Sequence, residues 1–369
     1  MWIAASQHAA PRNDGFGECR VTLIVIVNGY SPSSSSRRRS LWRSTGKPQA
    51  RPKPKAALSR PESFRLDTEA CRILQSTVPK YAKKKEALLE NATRGIEPHE
   101  ITELMAPFAS VHSLVINSST LGELPLLPCP DKLESLLLTH SDVQAIRNIT
   151  NYTNLHTLQI VDTSLSVTEQ HQNQTGRLAV LTQLHNLRTL NCWTLFTLAY
   201  SAPEDRAFLI RLLESNPAIE DFTCAGGVAT DVVQALGNLP LRRLLLQNSE
   251  IDNDKFALLP FGTLEELRLH GWHNLTNLEP LQDSTLRVLH LNAQENLGDT
   301  QVICSMPHLE ELDLTDCHLT DAQAEPLLQL SQKLRHLMLD SHKLRLSDEM
   351  CQRLKTAFGN KVSVKDMTY

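Results

Sequence analysis

Histidine and aspartate side chains in the C-terminal third of the chain are the residues whose types could do chemistry. His270, His290 and Asp313 carry imidazole and carboxylate groups, which ligate transition metals and carry protons in general acid–base catalysis. Solvated sheets carry the same residue types without any chemistry. The choice between a metal or proton-transfer site and a polar contact surface depends on the elements that position these side chains.

Motifs for enzymatic chemistry are absent from the sequence. Neither a phosphate-binding GxxxxGK[ST] loop nor a GxSxG, HExxH or EF-hand motif occurs, and the single Gly pair, Gly226–Gly227, lacks a phosphate-loop context. We therefore predict that the chain is not an enzyme. We also expect no cofactor, no metal ion and no small-molecule substrate.

One pattern, L-x-x-L-x-L, recurs ten times and defines the elements that carry the polar side chains. Its copies begin at Val111, Leu133, Leu155, Leu187, Ile219, Leu241, Leu264, Leu286, Leu309 and Leu334. No single copy can bury its own leucines, whereas a stack of copies buries a continuous core. The spacing predicts short strands joined by turns and helical segments, with full helices in the two longer intervals, near 168–187 and 203–215.

Two stretches of the array carry a resemblance to known proteins. LEELRLHGWHNLTNLEPLQDST resembles the 22-residue repeat of the regulatory leucine-rich-repeat subunit of protein phosphatase 1, and LEELDLTDCHLTDAQAEPLLQLSQK is similar to the cysteine-containing repeats of F-box substrate receptors and ribonuclease inhibitor relatives. The resemblance to the leucine-rich-repeat family covers about 250 of the 369 positions. It implies an α/β fold, a right-handed leucine-rich-repeat solenoid with a curved parallel sheet on the concave face and helices and 3-10 turns on the convex face. In this family the concave face usually docks a protein.

The chain departs from the family pattern after its strands. The asparagine that usually follows each strand is replaced by small polar residues or cysteine, at Ser119, Ser141, Thr163, Ser249 and Cys317. Small polar groups can satisfy the backbone groups of the turn. The apolar residue that closes the turn comes one position late at Leu275 and Leu297, which predicts local bulges near Trp272 and Gln294.

Side chains between the leucines face outward on the concave surface and align across repeats. The central column is predicted to run Leu137, Gln159, Asn191, Thr223, Leu245, Arg268, His290, Asp313 and Met338. From the outward positions we select as candidate partner-binding residues Trp193, Asn191, Gln159, Arg268, His270, His290, Asp313 and His336. Exposed tryptophan is a favoured interface anchor, although Trp193 can instead pack against the long insert of its repeat. Glu265, Glu266, Glu310 and Glu311 flank this face as a site for a basic ligand or as ordinary solvated surface.

The distribution of charge divides the chain. Residues 1–61 contain 11 Lys/Arg but only Asp14 and Glu18, which leaves 26 Lys/Arg against 39 Asp/Glu in residues 62–369. We interpret residues 1–61 as a disordered basic Ser/Arg/Pro-rich tail that is a linker or a targeting segment, residues 62–110 as a helical N-terminal cap, and residues 111–369 as the repeat domain with its own C-terminal cap. An acidic body repels phosphates, so we expect protein partners with basic or neutral surfaces and nucleic acid only at the tail.

These features favour a non-enzymatic protein-protein interaction scaffold or adaptor. The alternatives are a substrate-recognition subunit of an F-box-type ubiquitin ligase, with its box within 96–114, and a mitochondrial or RNA-linked assembly factor that uses the basic tail.

Eight scattered cysteines predict reduced thiols and a cytoplasmic location, with mitochondria as the alternative, whereas six Asn-X-Ser/Thr sequons point to secretion. The apolar run 21–27 is too short to span a bilayer, so no membrane span is expected.

Overall fold

Repeated short strands and the turns between them dominate the fold. The computed structural model describes residues 2–7, 21–26, 86–90, 102, 111–163, 178–192, 203–247, 250–294, 296–340 and 346–365. The strands are β1 (Trp2–Gln7), β2 (Val21–Ile26), β3 (Glu86–Glu90), β4 (Ser113–Asn117), β5 (Thr120–Leu121), β6 (Ser135–Thr139), β7 (Asp142–Val143), β8 (Thr157–Val161), β9 (Thr189–Asn191), β10 (Asp221–Ala225), β11 (Arg243–Gln247), β12 (Glu266–His273), β13 (Val288–Gln294), β14 (Glu311–Asp313), β15 (His336–Asp340) and β16 (Val362–Lys365). The α-helices are α1 (Pro203–Glu214), α2 (Thr230–Gly237), α3 (Asn253–Phe256), α4 (Gln301–Ser305), α5 (Asp321–Ala324) and α6 (Asp348–Phe358). Short 3-10 helices cover Pro130–Lys132, Arg147–Asn151, Ala179–Gln183, Glu279–Leu281, Pro326–Gln332 and Gly359–Lys361.

The order of strands in the main sheet follows the order of the chain. Within the described residues the sheet runs β1-β2-β3-β4-β6-β8-β9-β10-β11-β12-β13-β14-β15-β16, and β5 pairs separately with β7. Neighbouring strands from β2 onward are parallel, and only β1 and β2 are antiparallel. Each repeat therefore advances the chain by one strand spacing. The result is a curved solenoid with the parallel sheet on one face and helices and 3-10 turns on the other.

Leucines at alternate strand positions form a continuous core behind the sheet. In β6 the side chains of Leu136 and Leu138 are fully buried, whereas Leu137 between them is partly exposed. The buried set continues from Val111 to Phe358. Burying one leucine side chain contributes roughly 1.5–3 kcal/mol, and here each strand depends on its neighbours for that burial. The strands predicted from the L-x-x-L-x-L pattern are confirmed.

The longest of the described helices, α1, lies where the sequence predicts a helix. α1 buries Phe208, Leu209, Leu212 and Leu213 against the core. The other long interval was expected to hold a full helix near 168–187, and residues 164–177 of it lie outside the described residues. Leu178 is helical, and the 3-10 helix Ala179–Gln183, which buries Leu181, follows it.

The C-terminal cap also matches its prediction. The Ser347 side chain is the N-cap of α6 and accepts a hydrogen bond from the Met350 backbone N–H at 3.2 Å. Such a cap satisfies one of the N–H groups that the first turn of a helix leaves unpaired. The helix ends at Gly359, whose φ of 56° is readily accessible to glycine. β16 then pairs with β15 in parallel, as expected for the last strand of the array.

Turns after the strands use small side chains to satisfy the backbone. Ser141 Oγ donates to the Thr139 carbonyl at 2.8 Å and accepts from the Ser119 N–H at 3.1 Å. Thr163 repeats the first of these bonds with the Val161 carbonyl. Small polar residues therefore replace the asparagine of the family pattern, as predicted.

A bulge interrupts the register of β12 and β13. The pairing shifts between His270 and His273, and His273 lies opposite Gln294. The φ of Gly271 in this segment is 138°, a conformation that favours glycine. The Gln294 side chain is fully buried and accepts a hydrogen bond from the Leu275 N–H. The bulge predicted near Trp272 and Gln294 is confirmed.

Three described strands lie in the N-terminal part of the chain. β1 and β2 lie within residues 1–61 and β3 lies within residues 62–110, and the division into a disordered tail and a helical cap stays a prediction. The run VTLIVI in β2 is rich in β-branched residues, which favour strands. Ala87, Leu88 and Leu89 of β3 align with residues of β4, so they extend the sheet. The remainder of residues 1–110, apart from Thr102, lies outside the described residues.

Candidate functional site

Strand register produces the central column of side chains on the open face of the sheet. Leu137 pairs with Gln159 and Gln159 with Asn191, and the pairing continues through β10 and β11 to Arg268. Arg268 pairs with His290, His290 with Asp313, and Asp313 with Met338. The predicted central column is therefore confirmed. Its residues have no role in the leucine core, because their side chains project from the opposite face.

In the N-terminal half of this face the outward residues of β4, β6, β8 and β9 carry no charge, whereas the neighbouring β3 places Glu86 and Glu90 in register with Ser113 and Asn117. The eleven outward residues of β4, β6, β8 and β9 are all partly exposed, and we call them the uncharged half. They are Ser113, Val115, Asn117, Ser135, Leu137, Thr139, Thr157, Gln159, Val161, Thr189 and Asn191. Hydroxyl groups occupy the column nearest the start of the strands. Val115, Leu137 and Val161 supply apolar surface beside the amide of Gln159.

The C-terminal half of the face centres on the buried side chain of His290. Its Nε2 atom lies 2.7 Å from Glu311 Oε1, and its Nδ1 atom lies 3.1 Å from Arg268 Nη1 and 3.7 Å from Asp313 Oδ2. Arginine only donates hydrogen bonds, so Nδ1 accepts from Arg268 and the proton of the neutral ring lies on Nε2, towards Glu311. Arg268 also forms an ion pair with Glu266. The structure thus joins Arg268, His290 and Asp313, three of the candidate residues, in one network.

Alternating charges flank this network along the edge of the sheet. Arg242, Glu265, Arg287, Glu310 and Arg335 occupy equivalent positions in five successive repeats. Arg242 bonds Glu265 at 2.5 Å, Arg287 bonds Glu310 at 2.5 Å, and Arg335 bonds the second carboxylate oxygen of Glu310 at 2.9 Å. The four glutamates considered as a site for a basic ligand are therefore each paired within the chain.

His270 lies beside the network but is not hydrogen-bonded into it. The ring centroids of His270 and His290 are 6.3 Å apart. The Nε2 atom of His270 and the Oδ1 atom of Asn292 on the next strand are both buried without a hydrogen-bond partner. Burial, with a smaller contribution from His290, lowers the pKa of His270 below its usual value of 6.5. The neutral ring is therefore favoured at this position.

The other candidate residues are more widely spread. Gln159 and Asn191 line a depression of about 250 Å³ in the middle of the face, together with Thr223 and Leu245. His336 pairs in register with Glu311, one column away from His290. Trp193 lies outside the described residues.

Sequence reasoning missed the bonds between the outward side chains of β10 to β15, the C-terminal half of the face, which we call the charged half. Asp221 and Arg243 form an ion pair between β10 and β11, and Glu311 holds the ring of His290. The signal was present as the alternation of acidic and basic residues at equivalent positions of successive repeats. The pairing can be recognised only once the register of the strands is known, because the two residues of each of these pairs between strands are 21 to 23 positions apart in the chain.

Features that would support other chemistry were also sought in the described residues. No group of three His, Cys, Asp or Glu side chains there is placed to hold a metal ion. The six described cysteines are free thiols, and burial raises the pKa of Cys317 to about 12. A thiol with a raised pKa is a weak nucleophile at neutral pH. None of the described helices is long and apolar enough to cross a bilayer.

Comparison with known proteins gives matches at the level of structure. No protein-family model and no curated protein sequence matches the chain. An internalin from Listeria monocytogenes superposes with a TM-score of 0.50 at 15% sequence identity, over 81% of this chain and 93% of the internalin. A leucine-rich-repeat protein from Leptospira interrogans superposes with a TM-score of 0.46 at 14% identity, over 77% of this chain and 90% of that protein. The internalin is itself a leucine-rich-repeat protein. Together with the ten repeated strands and their parallel register, the match shows that this chain has the leucine-rich-repeat fold.

Proposed function

We propose that the chain is a non-enzymatic scaffold or adaptor that binds a protein partner on its concave face. One observation carries the proposal: the sheet presents columns of partly exposed side chains that have no role in the core. A rigid array of such columns suits recognition of a large surface, because the binding residues are held in place before the partner arrives. The protein-binding role is an inference from this surface, since fold alone does not name a function.

Composition of the face supports a protein rather than a nucleic acid as the partner. Its arginines at 242, 243, 268, 287 and 335 are all paired with carboxylates of the chain, and Arg188 at its edge is exposed. Phosphate binding depends on cations that are available to neutralise it. An acidic partner and a nucleic acid are therefore both disfavoured on this face, whereas a basic or neutral protein surface is compatible with it.

A photo-crosslinking experiment tests the proposal. We would place benzoylphenylalanine at Gln159 on the concave face and, as a matched control, at Gln234 on the exposed side of α2, and irradiate cells of the native source. The proposal expects a discrete crosslinked protein from position 159 and none from position 234. Crosslinks from position 234 alone, or none from either position, would argue against concave-face binding.

We place the protein inside the cell. Its described cysteines are all free thiols, which is the usual state in a reducing compartment. A fusion of residues 1–60 to a fluorescent reporter tests the location. Diffuse cytosolic fluorescence supports the proposal, and import into mitochondria would support the alternative that the basic tail is a targeting segment. The F-box alternative depends on residues 96–114, most of which lie outside the described residues.

A further inference from the structure

The two halves of the concave face differ in the charge of their outward side chains. In the charged half, Arg243 is paired with Asp221, Arg268 with Glu266, and the buried ring of His290 with Glu311. A charged group of a partner would have to displace one of these bonds or be desolvated beside side chains that are already bonded to each other. Either route costs free energy, since the cost of removing a charge from water is offset only by a well-placed opposite charge.

The uncharged half has the opposite character. Val115 and Leu137 form an apolar pair in register on β4 and β6, and Val161 of β8 lies beside Thr139. These side chains are partly exposed on the free protein. Covering them removes apolar area from water, which contributes about 25 cal/mol per Å² before the costs of association.

Hydrogen-bonding groups in the uncharged half are of the neutral kind. A column of hydroxyl groups from Ser113, Ser135, Thr157 and Thr189 runs beside this apolar pair. The amide of Gln159 can both donate to and accept from a peptide group. With Thr189 and Asn191 it lines one side of the depression of about 250 Å³, whose other side carries Asp221, Arg243 and Glu266.

Glu134 and Asp162, at the two edges of the uncharged half, each lie close to a histidine. His112 Nδ1 lies 3.1 Å from Glu134 Oε1 on one edge, and His140 Nε2 lies 3.5 Å from Asp162 Oδ2 on the other. Arg188, which is exposed, also lies on the first edge. The surface between the edges therefore complements a neutral occupant.

We propose that the partner docks on the uncharged half through a polypeptide segment of aliphatic and uncharged polar residues. This inference rests on the proposed function and specifies the chemistry of the partner and the part of the face that it covers. The charged half, whose side chains are bonded to each other, then keeps the array rigid and disfavours charged competitors. Exclusion of this kind gives specificity because a charged competitor binds with a less favourable free energy.

A phage-displayed library of random dodecapeptides is the probe for this proposal. The full chain is immobilised and the library is selected at 50 and at 500 mM NaCl, which are choices of condition bracketing the range over which exposed charges become screened. We expect enriched peptides to contain fewer Lys, Arg, Asp and Glu residues than the starting library. Their affinity should change less than about twofold between the two salt concentrations, because exposed ion pairs are screened by salt and apolar contacts are not. Enrichment of charged peptides with salt-sensitive binding would overturn the proposal, as would a selection that enriches no peptide.

Matched variants locate the binding site. Leu137→Arg introduces a charge into the uncharged half, and Met338→Arg introduces the same side chain at the equivalent column position in the charged half. We expect Leu137→Arg to weaken binding of the selected peptides by about tenfold or more, about 1.4 kcal/mol, and Met338→Arg to leave it within about twofold. Gln159→Glu, a near-isosteric change, gives a second charged variant in case Leu137→Arg does not fold.

The variants that lose peptide binding distinguish a failure of this inference from a failure of the proposed function on which it rests. Loss at Met338→Arg alone would overturn the docking position while leaving the concave face as the binding surface. Peptides insensitive to all three substitutions would overturn both, because the binding site would then lie outside the concave columns. Circular dichroism of each variant confirms that a loss of binding is not a loss of fold.

Discussion

The Nε2 atom of His290 lies 2.7 Å from Oε1 of Glu311 on the next strand. This bond fixes the ring so that its other nitrogen accepts from Arg268 on the preceding strand. One buried side chain thereby links three consecutive repeats. The concave face is therefore tied together by polar bonds on this side as well as by leucines on the other.

Replacement of His290 should destabilise the array. His290→Ala leaves Glu311 and Arg268 each without one hydrogen-bond partner, and we expect the free energy of unfolding to fall by about 1–3 kcal/mol. Urea denaturation followed by circular dichroism measures the change. His336→Ala is the matched control, because His336 is partly exposed in the neighbouring column, and it should change the free energy by no more than about 0.5 kcal/mol. Equal effects of the two substitutions would contradict the linking role of His290.

Leucines on opposite faces of the sheet should differ in their importance. Leu267 in β12 is fully buried, whereas Leu245 in β11 is a partly exposed member of the central column. We expect Leu267→Ala to lower the free energy of unfolding by about 2–5 kcal/mol, because it leaves a cavity in the core. Leu245→Ala should cost less than about 1 kcal/mol in the same urea titration. A larger loss at Leu245 would be incompatible with the observed register.

Asn216 should stabilise the contact between two neighbouring repeats. Its Oδ1 accepts from the Leu187 N–H at 3.0 Å and its Nδ2 donates to the Leu212 carbonyl at 2.9 Å, both in the buried interior. Asn216→Ala leaves a buried N–H unpaired, so we expect a loss of about 1–3 kcal/mol in thermal or urea unfolding. Asn238, at the equivalent end of α2, is exposed. The Asn238→Ala control should remain within about 0.5 kcal/mol of the parent protein.

Stability should depend on pH through His270. Burial, then His290 and Arg268, lower its pKa below 6.5, and Asp313 opposes them. Between the lowered pKa and 6.5 the unfolded chain binds more protons than the folded one, so stability decreases as the pH falls through this window. His270→Leu should flatten the slope of unfolding free energy against pH between about pH 7 and 5. It should cost little at pH 7, because an apolar side chain replaces a buried nitrogen that has no partner. An unchanged slope in the variant would contradict this origin.

The register of the concave columns could be predicted because leucine spacing leaves little choice. A shift of one residue would turn Leu136 and Leu138 to solvent and Leu137 to the core. The bulge at β12 was also predictable, since Leu275 arrives one position later than its counterparts. By contrast, the strands β1, β2 and β3 were not anticipated. They carry no L-x-x-L-x-L pattern, and their place in the sheet depends on pairing between distant segments.

The candidate residues of the face were identified without knowledge of their partners. His290 and Asp313 were selected as polar groups that contact a partner, yet both are buried on the free protein. Exposure at a strand position depends on how large the neighbouring side chains are and how they bond, which strand alternation does not specify. Gln159 and Asn191 remain partly exposed, and their role in binding remains a prediction.

The sequence by itself determined the scaffold of this protein, because the spacing of leucines can be satisfied only by stacking one repeat on the next. It thereby determined which residues occupy the open face. Only the tertiary structure decided that the charged side chains of the C-terminal half are bonded to each other. Coulombic and hydrogen-bonding contacts act over a few ångströms, and the partners in these pairs are brought within that distance by the register of strands that are a full repeat apart in the chain.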